Sequence, residues 1–162
     1  MRPAQLFDIR IEARACEVVR YPCRFIAQRR YGMQGSTPRR RYKVLMVDDS
    51  QLVLAMTRTA LERVGLVVVT LSSPIGFTKV LQDERPDLAL IDVGMPALRG
   101  DQLAEMIRRR LPNSCPMVLF SERPEEELAR LTALCGASGF IRKSGDWPAM
   151  TSAILGYLEK VP

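Results

Sequence analysis

The chemistry in this chain is concentrated in five side chains: Asp48, Asp49, Asp92, Ser121 and Lys143. Asp92 closes the apolar run Leu88-Ala-Leu-Ile-Asp92, and Gly94 and Pro96 turn the chain directly after it. A short apolar run bounded by turn-formers reads as a strand buried on both faces. Asp48-Asp49 closes an earlier run of the same kind, Lys43-Val-Leu-Met-Val-Asp48. Ser121 and Lys143 end or follow two further runs. In an open parallel α/β sheet the carboxyl ends of the strands form the ligand-binding edge, so all five groups belong at one rim. Three carboxylates about 4 Å apart repel by roughly 4 kcal/mol per pair at an effective dielectric near 20. Such a cluster must take up protons or hold a cation. Hard, closely spaced oxygens with access to water favour Mg²⁺ or Mn²⁺. The Lys143 ammonium and the Ser121 hydroxyl suit two oxygens of a tetrahedral anion, with the metal on a third. Such an arrangement would suit moving a phosphoryl group onto a carboxylate, chemistry that is mostly positioning and charge neutralisation.

Taken singly, each residue has an ordinary role. Asp92 is a helix cap or turn residue by type, and Asp48-Asp49-Ser50 caps a helix. Ser121 caps another, and Lys143 is a solvated lysine. The distinguishing feature is that all five fall on one edge, each at or beside the end of a strand. The chain has no histidine. That removes Ser-His and Cys-His nucleophile pairs and most catalytic metal sites, and it prevents the chain from being the histidine member of a phosphorelay.

The elements that position these groups follow from residue 43 onward. Strands are predicted at 43–48, 66–71, 87–92, 116–121 and 138–142. Helices are predicted between and after them, at about 50–65, 74–85, 100–111, 123–135 and 146–160. Strand and helix alternating five times implies repeated βαβ units, a parallel sheet and helices on both of its faces. Ser50 caps the first helix, with Leu52, Ala55, Met56 and Leu61 along its inner face and Gly65 ending it. Gly100-Asp101 opens the third helix, which turns Leu103, Met106 and Ile107 inward and carries Arg108, Arg109 and Arg110 near its negative end. Glu125, Glu126 and Glu127 suit the first turn of the fourth.

A length of 162 residues fits one domain of ordinary size with little left over. Apolar content of 47% and charged content of 26% suit a globular protein. No apolar run approaches the roughly 18 residues that cross a bilayer, and the N-terminus lacks the apolar core of a secretory signal. Cys16, Cys23, Cys115 and Cys135 have no zinc-type spacing, which implies reduced thiols in a cytoplasmic protein. The net charge of +6 is unevenly spread. Residues 1–43 hold 11 Lys and Arg against 3 Asp and Glu, whereas residues 44–162 hold 13 against 15. Residues 1–42 therefore read as a basic, loosely ordered extension, and residues 43–162 as the domain. Within the extension, Phe7, Ile9, Ile11, Ala13 and Ala15 alternate as in a strand, while Leu6, Ile9, Ala13 and Cys16 fit a helical stripe. Periodicity does not choose between them.

Val44-Leu-Met-Val-Asp-Asp-Ser50, Leu90-Ile-Asp-Val-Gly-Met-Pro96 with Gly100, Val118-Leu-Phe-Ser121 and Gly136-Ala-Ser-Gly-Phe-Ile-Arg-Lys143 resemble the receiver domain of two-component response regulators. The resemblance runs from about residue 43 to the C-terminus, and its ordered set of motifs is specific. It implies a flavodoxin-like (βα)5 doubly wound parallel sheet with strand order 2-1-3-4-5. It further implies that Asp92 accepts a phosphoryl group from a histidine on a separate kinase or phosphotransfer protein. Asp49, Asp92 and the Gly94 carbonyl would ligate Mg²⁺, with Asp48 acting through water. Lys143 and Ser121 would bind phosphoryl oxygens, and Phe140 matches the aromatic switch position. The protein would then be no enzyme beyond its own phosphorylation and dephosphorylation. Output would pass to a downstream protein, and homodimers would form, through the face of the fourth helix, fifth strand and fifth helix. Three positions depart from the family pattern. Ser144 follows the lysine where proline is usual, which puts the customary cis peptide in question. Glu122 follows Ser121 where a small residue is usual, and Phe140 lacks the hydroxyl of the commoner Tyr.

Other classes fit less well. A haloacid-dehalogenase-type phosphatase needs Asp-x-Asp at its nucleophile, whereas Asp48 and Asp49 are adjacent. A flavodoxin-like FMN carrier needs a Ser/Thr- and Gly-rich loop after the first strand, and this loop is acidic. The remaining alternative is a nucleic-acid or partner binder that acts through the basic residues 1–42, with the receiver as its regulatory module.

Overall fold

The computed structural model describes residues 41–160. The expectations for the basic extension lie outside these residues up to position 40. Five strands alternate with five helices: β1 (Lys43–Val47), α1 (Gln51–Arg63), β2 (Val67–Leu71), α2 (Phe77–Glu84), β3 (Leu88–Asp92), α3 (Gly100–Arg110), β4 (Met117–Ser121), α4 (Glu125–Cys135), β5 (Gly139–Arg142) and α5 (Trp147–Leu158). All strands are parallel, in the order β2-β1-β3-β4-β5. Both the flavodoxin-like architecture and the strand order agree with the sequence reading. β1 begins at Lys43 as expected, and one ladder bond precedes it, from Val67 N–H to the Tyr42 carbonyl.

Side-chain alternation along the strands builds two cores. Leu45, Val47, Ala89, Ile91 and Leu119 face α2, α3 and α4, where they meet Phe77, Leu81, Leu103, Ile107, Leu128 and Leu131. Val44, Met46, Leu88, Leu90, Val118, Phe120 and Ile141 face α1 and α5, against Leu54, Leu61, Met150, Ile154 and Leu158. β1, β3 and β4 are covered on both sides, which explains their near-continuous apolar runs.

The helix termini follow local chemistry. Ser50 Oγ accepts from Val53 N–H and Asp146 Oδ1 from Ala149 N–H, capping α1 and α5. α2 starts later than expected because Pro74-Ile75-Gly76 forms a turn, with Gly76 at φ +84°. The inner face of α1 corrects the expectation. Leu54, Thr57 and Leu61 are buried, whereas Leu52, Ala55 and Met56 are exposed, Leu52 at 68%. The spacing explains the error: 54, 57 and 61 step by three and four along one stripe, but 56 to 61 steps by five and leaves it. On α3, Leu103 and Ile107 point inward as expected, with Ala104 beside them and Met106 at the core margin.

Candidate functional site: a carboxylate cluster at the strand ends

β1 and β3 are neighbours in register, Val47 opposite Ile91. The residues after that pair, Asp48 and Asp92, therefore stand side by side, both directed to the α1 and α5 face. Both are buried, at 1% and 5% exposure, while Asp49 is exposed at the rim. Carboxylate oxygens of the three lie within 4.8 Å of one another.

Lys143 neutralises part of this charge. Its backbone N–H donates to the Ser121 carbonyl at 2.8 Å, which extends the β4–β5 ladder by one step. Its ammonium donates to Asp48 Oδ2 at 2.6 Å and Asp92 Oδ1 at 2.7 Å. The other oxygens take backbone donors: Ser50 N–H reaches Asp48 Oδ1 at 2.9 Å, and Gly94 N–H reaches Asp92 Oδ2 at 2.8 Å. Burial pushes the Asp48 carboxyl above its ordinary value, against the opposing pull of the Lys143 ammonium and the Ser50 N–H.

Ser121 arrives at the same edge from β4, next to β3, but alternation turns it toward the α2–α4 side. Its buried oxygen accepts from Arg123 N–H at 3.5 Å, so the hydroxyl keeps its proton to donate. Arg123 itself pairs with Glu127 one helical turn on. Glu122 is exposed. Phe140 lies further down β5, opposite Leu119, half-buried against the core shared with α4. The structure thus brings Asp48, Asp49, Asp92 and Lys143 together. It sets Ser121 at the adjoining strand end and leaves Phe140 outside the cluster. No peptide among the described residues is cis, the one after Lys143 included.

Two residues shape the site without an expected role there. Phe120 packs beneath Lys143, its ring centroid 5.3 Å from Nζ. Gly100 already marked the start of α3, but its closeness to the site did not show: an added Cβ there would meet the Asp92 carbonyl oxygen at 2.0 Å. Phe120 was accessible only through strand register, and Gly100 only through the path of the loop from Asp92. The two thiols among the described residues lie apart from this chemistry. Cys115 and Cys135 are unbridged, and burial pushes both thiols up, Cys115 to about 12. Cys16 and Cys23 lie outside the described residues.

The donor set is all carboxylate, hard and partly open to water, which fits Mg²⁺ in charge and ligand type. The fold, the acidic strand ends and the lysine together define a class of signalling domain, and comparison with known proteins gives the same class. The family model of the response regulator receiver domain matches residues 44–155, and the chain belongs to that family, the receivers of two-component signalling. The transcriptional regulatory protein CseB of Streptomyces coelicolor is 29% identical over 117 residues, covering 72% of this chain and 49% of CseB. The alkaline phosphatase synthesis transcriptional regulatory protein PhoP of Bacillus subtilis is 30% identical over 101 residues, 62% of this chain and 42% of PhoP. The chain spans about half the length of the first of these relatives and less of the second. Among solved structures, the chemotaxis protein CheY4 of Vibrio cholerae superposes with a TM-score of 0.64 at 24% identity. That match covers 76% of this chain and all of CheY4, and it bears on the fold. No helix of the described residues is long and apolar enough to cross a membrane.

Proposed function

We propose that the domain is a phospho-accepting receiver in which Asp92 takes a phosphoryl group from a histidine on a sensor kinase or phosphotransfer protein. The supporting observation is the placement of Asp92: a buried carboxylate at the end of a central strand, between a lysine ammonium and two further carboxylates. A carboxylate oxygen of Asp92 attacks phosphorus while the bond to the donor's phosphoimidazole nitrogen breaks; a proton on the ring's other nitrogen lets the imidazole leave neutral and stay with its kinase. Asp49, Asp92 and the Gly94 carbonyl would hold Mg²⁺, with Asp48 acting through water. When bound, the ion neutralises charge on the phosphoryl oxygens and the carboxylates. Lys143 supplies the second positive charge and Ser121 a hydroxyl donor, both for phosphoryl oxygens. The signal then passes by protein–protein contact, with cytoplasmic residence implied by a kinase donor. Movement of Ser121 toward the phosphoryl group opens space for Phe140 to turn inward, which reshapes the face of α4, β5 and α5 for a downstream protein or a second copy.

Incubation with Mg²⁺ and acetyl phosphate, followed by intact mass measurement, tests this. The expected result is one added phosphoryl group, lost on chelation of the metal before incubation and absent in Asp92→Ala. An unmodified parent, or modification that persists in Asp92→Ala, overturns it.

A further inference from the structure

Lys143 has to reach its carboxylates across the end of an intervening strand. β5 leads into the lysine, β3 and β1 lead into Asp92 and Asp48, and β4 lies between. Asp92 pairs in register with Phe120, and Phe120 with Ile141. These three form one row across the sheet, with Phe120 and Ile141 packed on the α1 and α5 side. Lys143, two residues beyond Ile141, keeps that face. The Phe120 ring therefore lies under the path of the lysine stem, and its centroid stands 5.3 Å from the ammonium nitrogen. Within about 6 Å a ring face attracts an ammonium, most strongly where water is excluded. Phe120 is 1% exposed and the Lys143 side chain 13%.

We propose that Phe120 is a positioning residue for phosphoryl transfer, its ring face holding the Lys143 ammonium at the level of Asp48 and Asp92. The proposal rests on the reading of Asp92 as acceptor. An aliphatic residue would fill the same core volume without a negative ring face, leaving the ammonium fixed by the carboxylates alone. The ring adds an attraction without a fixed acceptor atom. The ammonium can then shift toward arriving phosphoryl oxygens while staying over the ring, whereas each carboxylate hydrogen bond holds it to one point.

Replacing Phe120 with mono-, di- and trifluorinated phenylalanine keeps its shape while draining negative charge from the ring face, and Phe120→Leu removes the ring. Two quantities are read on proteins with the parent's circular dichroism: the Lys143 ε-methylene proton shift without phosphodonor, and the rate of phosphorylation by acetyl phosphate with Mg²⁺. In the parent the ε-methylene protons lie upfield of free lysine. That displacement shrinks with fluorination and vanishes in Phe120→Leu. The rate falls in the same order, by about three- to tenfold at the trifluorinated ring. A normally phosphorylated parent whose rate ignores fluorination, or a Lys143 resonance at the free-lysine position, overturns the Phe120 proposal alone. A parent that accepts no phosphoryl group overturns the Asp92 reading and the proposal with it.

Discussion

Lys143 shares one ammonium between two buried carboxylates whose remaining oxygens are bound by backbone N–H groups. Removing the ammonium leaves two like charges facing each other out of water. Breaking a buried pair by deleting one partner costs about 3–5 kcal/mol. With the Lys143 side chain 13% exposed, Lys143→Met should lower unfolding free energy by about 2–4 kcal/mol in chelator. Millimolar Mg²⁺ should recover part of the loss; urea denaturation reads both. Asp48 titrates in the opposite sense to a usual salt-bridged acid. Burial holds its folded value above 3.8, so the folded protein keeps this proton more tightly than the unfolded chain. Its contribution favours folding fully below 3.8 and is lost as pH rises through the folded value. Metal-free parent should therefore lose stability relative to Asp48→Asn as pH is raised from 3.5 to neutrality. Urea curves across that range show the sign, and a parent that gains on Asp48→Asn contradicts it.

At the scale of elements, helix faces and close approaches decide what the site tolerates. Thr57 sits on the buried stripe of α1 with Leu54 and Leu61, and its hydroxyl has no hydrogen-bond partner. Thr57→Val removes an unsatisfied polar atom at nearly constant shape, so unfolding free energy should rise by about 1 kcal/mol in chemical denaturation. α3 begins hard against β3. A Cβ on Gly100 would lie 2.0 Å from the Asp92 carbonyl oxygen and 2.9 Å from Ile91 Cγ2. Backbone cannot give way as a flexible side chain does. Gly100→Ala should cost about 2 kcal/mol or more and slow phosphorylation by displacing Asp92, measured by thermal melting alongside the acetyl phosphate rate. The sequence-based face of α1 failed for a related reason. Leu52 and Met56 are apolar but exposed, and their apolarity outweighed the buried Thr57 that marks the true stripe.

Across the whole molecule, five strand–helix repeats are readable because each strand is a short apolar run and each helix carries caps or a stripe. The order β2-β1-β3-β4-β5 is not contained in any local pattern; the family resemblance implies it, and the structure has it. The convergence of Asp48, Asp49 and Asp92 follows from that order, so the carboxylate cluster is legible in the sequence. The Lys143 bond to Asp48, across 95 residues of chain, and the ring of Phe120 beneath it depend on register and side-chain direction, which composition does not encode. A covalent acyl phosphate on Asp92 is the central claim. The most direct measurement is borohydride reduction of protein treated with acetyl phosphate and Mg²⁺, followed by peptide mapping. Homoserine at position 92 is the predicted product, and an unreduced aspartate there, or homoserine at position 48 or 49 instead, would contradict it.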